Sequence, residues 1–104
     1  MIAALPAGVA LYKQTAVFTE TSIPAGLLRD HSTKEGTWGL IRIEDGRLLY
    51  AVTDPRRPAS EAILTSAVAG VVEPTILHHV APLGPVRFHV EFYRAADPDP
   101  VSPA

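Results

Sequence analysis

The stretch GLIRIEDGRLLYAV, residues 39–52, decides the fold class. Leu40 to Ile43 and Arg47 to Val52 read as extended chain flanking Glu44, Asp45 and Gly46, and Gly46 can take the positive φ that closes a hairpin. On the second arm Leu48, Tyr50 and Val52 share one face, and Arg47, Leu49 and Ala51 share the other. That arm is expected to bury one face almost completely and part of the other, with Trp38 packing nearby. VRFHVEFY, residues 86–93, has the same period: Val86, Phe88, Val90 and Phe92 alternate with Arg87, His89, Glu91 and Tyr93.

Outward from these two runs, 10 prolines and 7 glycines cut the chain into short pieces. Such punctuation suits an all-β sandwich or barrel and leaves little room for helix. Weaker extended segments are LYKQTAVF, GLLRDHS, AILTSAV and VVEPTILHHV, and DPRRPAS reads as a loop because Asp54, Pro55 and Pro58 interrupt pairing. EAILTSAVAG also suits a helical turn, but its length and flanking breakers favour strand. The tail AADPDPVSPA has three prolines and no periodicity, so it is expected to fray or lie over the surface. The expected organisation is an N-terminal segment over 1–11, one domain over 12–94 and a flexible tail over 95–104.

A chain of 104 residues supports one core. Folding removes roughly 65% of its surface from water, so no covalent staple is required. Cys 0 excludes disulfides, zinc-thiolate fingers, iron–sulfur clusters and cysteine nucleophiles. A net charge of -2 with 19% charged residues provides no cationic field, so no nucleic-acid or membrane partner is expected. MIAALPAGVAL lacks the basic start of a secretory signal and contains Pro6 and Gly8, and no apolar run reaches membrane-span length. The expected location is cytoplasmic.

Chemistry points to the four histidines, His31, His78, His79 and His89, which combine metal-ligand capacity with a charge change near neutral pH. A closed sheet would bring His31 and His78 to one polar pocket. Neighbours on a strand point to opposite faces, so only one of His78 and His79 faces inward. Glu35, Glu73 and Glu91 are candidate oxygen donors, and a sulfur-free shell suits Fe, Mn, Ni, Co or Zn. His89 and Glu91 share the polar side of their strand, where they either form a hydrogen-bonded pair or face water. RDHSTKEGTWG gathers Thr33, Lys34 and Glu35 beside Trp38, which reads as the lining of a small anionic ligand's pocket or as a charged turn. Phosphate loops, HExxH and GxSxG are absent from the sequence.

The runs IPAGLLRDHSTKEGTWGLIRIEDGRLLY and VEPTILHHVAPLGPVRFHVEFY resemble a small cupin-like domain of unknown function, found alone in bacterial proteins and fused ahead of the methyltransferase in TehB-type tellurite-resistance proteins. The similarity spans about residues 12–94 and rests on the H-x-T-K-x-G-T-W and P-x-x-x-H segments. It implies a single-domain, all-β, cupin-like double-stranded β-helix, a jelly-roll barrel whose interior holds a divalent metal or a small ligand. It also implies that His31 and His78 match the pattern's histidines, whereas His79 occupies a variable position. Thr33 stands where the general cupin motif has a second histidine, so Glu91, Glu73 or Glu35 would have to complete the shell. The methyltransferase portion has no counterpart in this sequence.

The resulting expectation is a cupin-like protein that binds a divalent metal (Zn, Fe, Ni or Mn) through His31, His78 and Glu91, or a small polar or anionic ligand in a pocket including Thr33, Glu35, Trp38, Glu73 and His89, with a link to tellurite or other stress. An open metal position could act as a Lewis acid, although the residues specify no reaction and leave enzyme status open. The alternative is a metal-free, non-catalytic ligand-binding or homodimeric interaction module.

Overall fold

The computed structural model describes residues 4–96. Six strands are present in chain order: β1 (Val9–Gln14), β2 (Phe18–Thr19), β3 (Trp38–Val52), β4 (Ser60–Leu64), β5 (Gly70–Val72) and β6 (His78–Ala95). A single 3-10 turn at Ala25–Leu27 separates β2 from β3. GLLRDHS therefore forms a turn and a loop, with only an isolated bridge at His31. Pro24 at its head and the short run before the polar DHSTKEG segment leave too little apolar alternation to sustain a ladder.

All the strand pairs are antiparallel, and the ladder order is β1-β6-β3-β4, with β2 added to β6 and β5 added to β3. The sheet is open: among the described residues no ladder joins β1 to β4. This corrects the cupin-like double-stranded β-helix and the jelly-roll barrel. The physical reason lies in the punctuation. Gly46, Pro82, Gly84 and Pro85 read as strand ends, yet they are absorbed as irregularities within two long strands, so one β3/β6 ladder runs through where a jelly roll would break into shorter strands.

The same irregularities explain why residues 44–46 do not close a hairpin. Backbone on both flanks of Gly46 is paired with β6, from Trp38↔Tyr93 to Val52↔His78, so β3 continues as one strand. Ile43 pairs with Phe88 and Asp45 with Arg87, which leaves β3 one extra residue at this point. A one-residue slip exchanges the faces of a strand. Ile41 and Ile43 before the bulge, and Leu48 and Tyr50 after it, consequently all enter the core. Gly46 has a φ of 82°, and a Cβ there would lie 2.1 Å from the Pro85 carbonyl oxygen, so the close approach of the strands requires glycine.

The bent sheet wraps its apolar side around Phe88, Leu48, Leu64, Val72 and Val86, whose side chains are fully buried. Each such side chain contributes about 1.5–3 kcal/mol by leaving water. Phe18 on β2 meets Phe88 edge to face at 5.6 Å, tying the start of the 15–37 segment to the core. β1 begins at Val9, within the expected N-terminal segment, and Ala96 donates its N–H to the Gly8 carbonyl at 2.9 Å. Most of the expected tail, residues 97–104, lies outside the described residues. Among the described residues no helix is long and apolar enough to cross a membrane.

Candidate functional site

The 15–37 segment lies over the apolar face of the sheet and encloses a cavity of about 490 Å³ with it. Inner-face residues of β3 and β6, including Ile41, Phe88 and Val90, form one wall. Phe18 and Leu27 contribute from the covering segment. The alternation of β6 explains its side of the wall: Val86, Phe88, Val90 and Phe92 share one face, and the last three of these line the cavity.

The covering segment is pinned by backbone. His31 donates its N–H to the His78 carbonyl and His78 donates to the His31 carbonyl, both at 2.9 Å. Thr75, with a φ of 66°, donates to the Thr33 carbonyl at 3.0 Å, and the Thr33 hydroxyl donates to the Thr37 carbonyl at 2.6 Å. On the other side of β6, His79 Nδ1 and Asp30 Oδ1 are 2.8 Å apart. That hydrogen bond to His79, with one to Thr53, holds the Asp30 carboxyl below its usual range.

The reciprocal bridge places the His31 and His78 rings with centroids 4.2 Å apart and planes tilted by 55°, and both rings line the cavity. Each Nδ1 lies against a backbone carbonyl, Arg29 O at 3.0 Å for His31 and Ile76 O at 2.8 Å for His78. An imidazole whose Nδ1–H is donated in this way presents Nε2 as an acceptor when neutral. Burial is the main influence on His78, pushing its pKa down to about 4 against the raising effect of the Ile76 hydrogen bond. It is therefore neutral at pH 7. Tyr50 stands edge-on to His78 at 5.7 Å and donates its hydroxyl to the Val71 carbonyl at 2.9 Å. Burial raises that phenol to about 12, with a further contribution from Glu73.

The other residues selected from sequence lie apart. Glu91 is on the opposite face of β6, where its Oε2 meets His89 Nε2 at 3.0 Å and its Oε1 accepts the Tyr93 hydroxyl at 2.7 Å. His89 Nδ1 meets Glu44 Oε2, also at 3.0 Å, and Arg42 approaches Glu91 at 3.5 Å. Burial lowers the His89 pKa, but hydrogen bonds to Glu91 and Glu44 outweigh it and the net shift is upward. Burial likewise raises Glu91, and the bonds from His89, Tyr93 and Arg42 outweigh it, for a net lowering. Glu73 is paired with Arg57. Glu35 is exposed in the loop, and Trp38 is half-buried opposite Tyr93 on the β3/β6 ladder. Of the expected pocket residues, Thr33 and the neighbouring Lys34 join the two histidines in lining the cavity, and Glu35, Trp38, Glu73 and His89 do not.

These positions correct the metal expectation. Among the described residues no group of three or more His, Asp or Glu side chains is placed to hold a metal ion. Glu91 is separated from His31 and His78 by the thickness of the sheet, because side chains of opposite parity on one strand cannot share an inner shell. The donor set therefore fits none of Zn, Fe, Ni or Mn.

Several site features had weak signals or none. Lys13 and Leu27 line the cavity, but they sit in segments whose facing the alternation does not reveal. Glu44 meets His89 from the unpaired position of the β3 bulge, a contact between distant segments that no local run of sequence reveals. The D-P-R sequence does hint at the buried Asp54, which accepts from the Arg56 backbone and guanidinium at 2.8–2.9 Å and from Leu77 N–H at 3.0 Å.

The chain is 35% identical over 74 residues to the probable S-adenosyl-L-methionine-dependent methyltransferase TehB of Haemophilus influenzae, which is 69% of this chain and 26% of that protein. It thus spans about a quarter of the length of this relative. The crystal structure of TehB from Haemophilus influenzae matches with a TM-score of 0.78 at 28% identity, over 86% of this chain and 32% of that one. A crystal structure of an Escherichia coli K12 protein matches with a TM-score of 0.80 over 93% of this chain and 100% of that one, and at 17% identity this shows the fold alone. The curated relatives are probable S-adenosyl-L-methionine-dependent methyltransferases and not metal- or ligand-binding cupins, so the expected metal-binding, stress-linked cupin gives way. With residues 13–90 matching the family, the chain belongs to the TehB-like domain family.

Proposed function

We propose that this chain is the acceptor-recognition domain of an S-adenosylmethionine-dependent methyl-transfer system. It would hold the molecule to be methylated, and the transfer would belong to the kind of sequence that makes up the rest of its methyltransferase relatives. The observation carrying the reading is the cavity of about 490 Å³, a size suited to small organic molecules, with two imidazoles set into an apolar wall. A cytoplasmic location is part of the same proposal.

S-adenosylmethionine itself does not fit this cavity. Its sulfonium and ammonium groups and its ribose hydroxyls call for carboxylates, and among the described residues no Asp or Glu lines the cavity, whereas Lys13 and Lys34 do.

Native mass spectrometry tests the reading. The chain is incubated with a small-molecule cell extract and, separately, with S-adenosylmethionine. The expected result is retention of an extract molecule, its loss in Leu27→Trp, which fills the cavity from the covering turn, and no retention of S-adenosylmethionine. The retained molecule should gain a labelled methyl group from S-adenosylmethionine in the presence of Haemophilus influenzae TehB. Retention of S-adenosylmethionine in the cavity, or a retained molecule that is no methyl acceptor, would overturn the proposal.

A further inference from the structure

The lining of the cavity narrows the ligand class, an inference that rests on the acceptor-recognition reading. His31 and His78 both commit Nδ1 to a backbone carbonyl, so the ring nitrogen left to each is an acceptor in the neutral form. His78 is only 3% exposed, which makes an unmatched acceptor there unfavourable once a ligand has displaced water. A ligand that supplies a donor hydrogen to this pair is favoured over one that does not.

Charge supplies the second constraint. Among the described residues, the only ionic side chains lining the cavity besides the histidines are Lys13 and Lys34, and both are exposed, at its rim. A cationic ligand would lose hydration without meeting a carboxylate and would be repelled by both lysines; an anionic group at the rim is attracted by them while staying partly hydrated. The wall is mainly apolar, with Phe18 and Phe88 edge to face at 5.6 Å and Ile41 and Val90 beside them, and Thr15, Ser32, Thr33 and Thr37 also contribute to the lining. Such a wall favours a flat hydrophobic body.

We infer that the cavity selects an anionic molecule with an apolar, flat body and a hydroxyl that donates a hydrogen bond to the His31–His78 pair: a hydroxyaryl acid or a close chemical equivalent. Methylation of that hydroxyl by S-adenosylmethionine would break the donor's S–CH3 bond, release S-adenosylhomocysteine and lose the hydroxyl proton to solvent, and the methylated product would have no hydrogen to give. The cavity therefore distinguishes acceptor from product and releases the latter.

The probes are p-coumarate, p-methoxycinnamate, which differs by the methyl on oxygen, and tyramine, which carries a cation in place of the acid. Binding is followed by titration calorimetry and located by amide chemical-shift changes. The expected result is p-coumarate binding at least about tenfold more tightly than p-methoxycinnamate, with tyramine weaker still. His78→Phe, which keeps an aromatic ring but removes the acceptor, should bring p-coumarate and p-methoxycinnamate close to parity, and His31→Phe should narrow the gap. Equal binding of these two probes by the unmodified chain, or tighter binding of tyramine, with shifts centred on Val90 and Phe92, would overturn the ligand class and leave acceptor recognition standing. If none of the probes shifts any cavity residue, the cavity reading itself falls and the ligand class with it.

Discussion

His31 and His78 are joined twice over, by a reciprocal pair of backbone hydrogen bonds at 2.9 Å and by imidazole rings 4.2 Å apart. A loop residue and the first residue of the longest strand are thereby held as if they were neighbours in a sheet. The contact fixes one end of the covering segment and sets two imidazoles into a mainly apolar wall.

The buried member of the pair makes stability depend on acid. The folded-state pKa of His78, about 4, lies below its ordinary value of 6.5. Between these values the unfolded chain binds more protons, so stability should fall as pH drops from 6.5 towards 4 and lose nothing further to this group below that. The span corresponds to about 3 kcal/mol. Urea denaturation at a series of pH values checks it: His78→Phe should remove most of the slope in this window, and an unchanged slope would assign it to other groups.

His89 should act in the opposite sense. Its folded-state pKa is raised, because hydrogen bonds to Glu91 and Glu44 outweigh burial. Its contribution is complete below the ordinary histidine pKa and disappears as pH rises through the raised value. The melting temperature of His89→Gln should therefore fall furthest below that of the unmodified chain in mild acid, and the two should converge in alkaline buffer. A constant difference across pH would show that the loss is one of packing and not of charge.

Gly46 and Gly84 both have positive φ, 82° and 102°, but only Gly46 faces backbone at close range. Gly46→Ala would place its Cβ 2.1 Å from the Pro85 carbonyl oxygen and 2.9 Å from Val86 Cα, so the β3/β6 ladder must shift. Gly84→Ala meets no atom within 4 Å and carries only the conformational cost, about 1 kcal/mol. Equilibrium unfolding should show the Gly46 variant to be the more destabilised, by a clear margin.

Asp54 is 2% exposed and holds four donors from Arg56 and Leu77. The Arg56 side chain, and then the Leu77 and Arg56 amides, keep its carboxyl well below the usual carboxylate range. Its stabilisation is present above the ordinary Asp pKa and is lost only as pH falls through the depressed one. Asp54→Asn should lower the melting temperature at neutral pH and flatten the acid limb of the stability profile. A variant as stable as the unmodified chain would show that the loop holds its shape without this charge.

The strands were legible where alternation was strict. Val86 to Tyr93 and Leu48 to Tyr50 put their apolar residues inward as the period of two requires. That Gly46 lies at a bulge and not in a hairpin turn was not legible, because a glycine needed for a bulge and one needed for a turn look alike in sequence. The chain's long-range pairing with β6 decides between them. At the site, His31 and His78 stood out as chemistry, but Glu91 was misassigned: its carboxylate resembles a ligand in a list of residues and lies across the sheet from them in space.

By itself the sequence determined an all-β chain without sulfur chemistry, the apolar faces of its two long strands and the opposed facing of His78 and His79. These follow from short-range physics, the two-residue period of extended chain and the chemistry each side chain carries. Only the tertiary structure decided that the sheet stays open, that Gly46 bends a strand instead of ending it, and that the histidines line an apolar cavity without a carboxylate. Those outcomes depend on which distant strand satisfies each backbone N–H and C=O, and such pairing is settled by the whole sheet at once, not by any local run of residues.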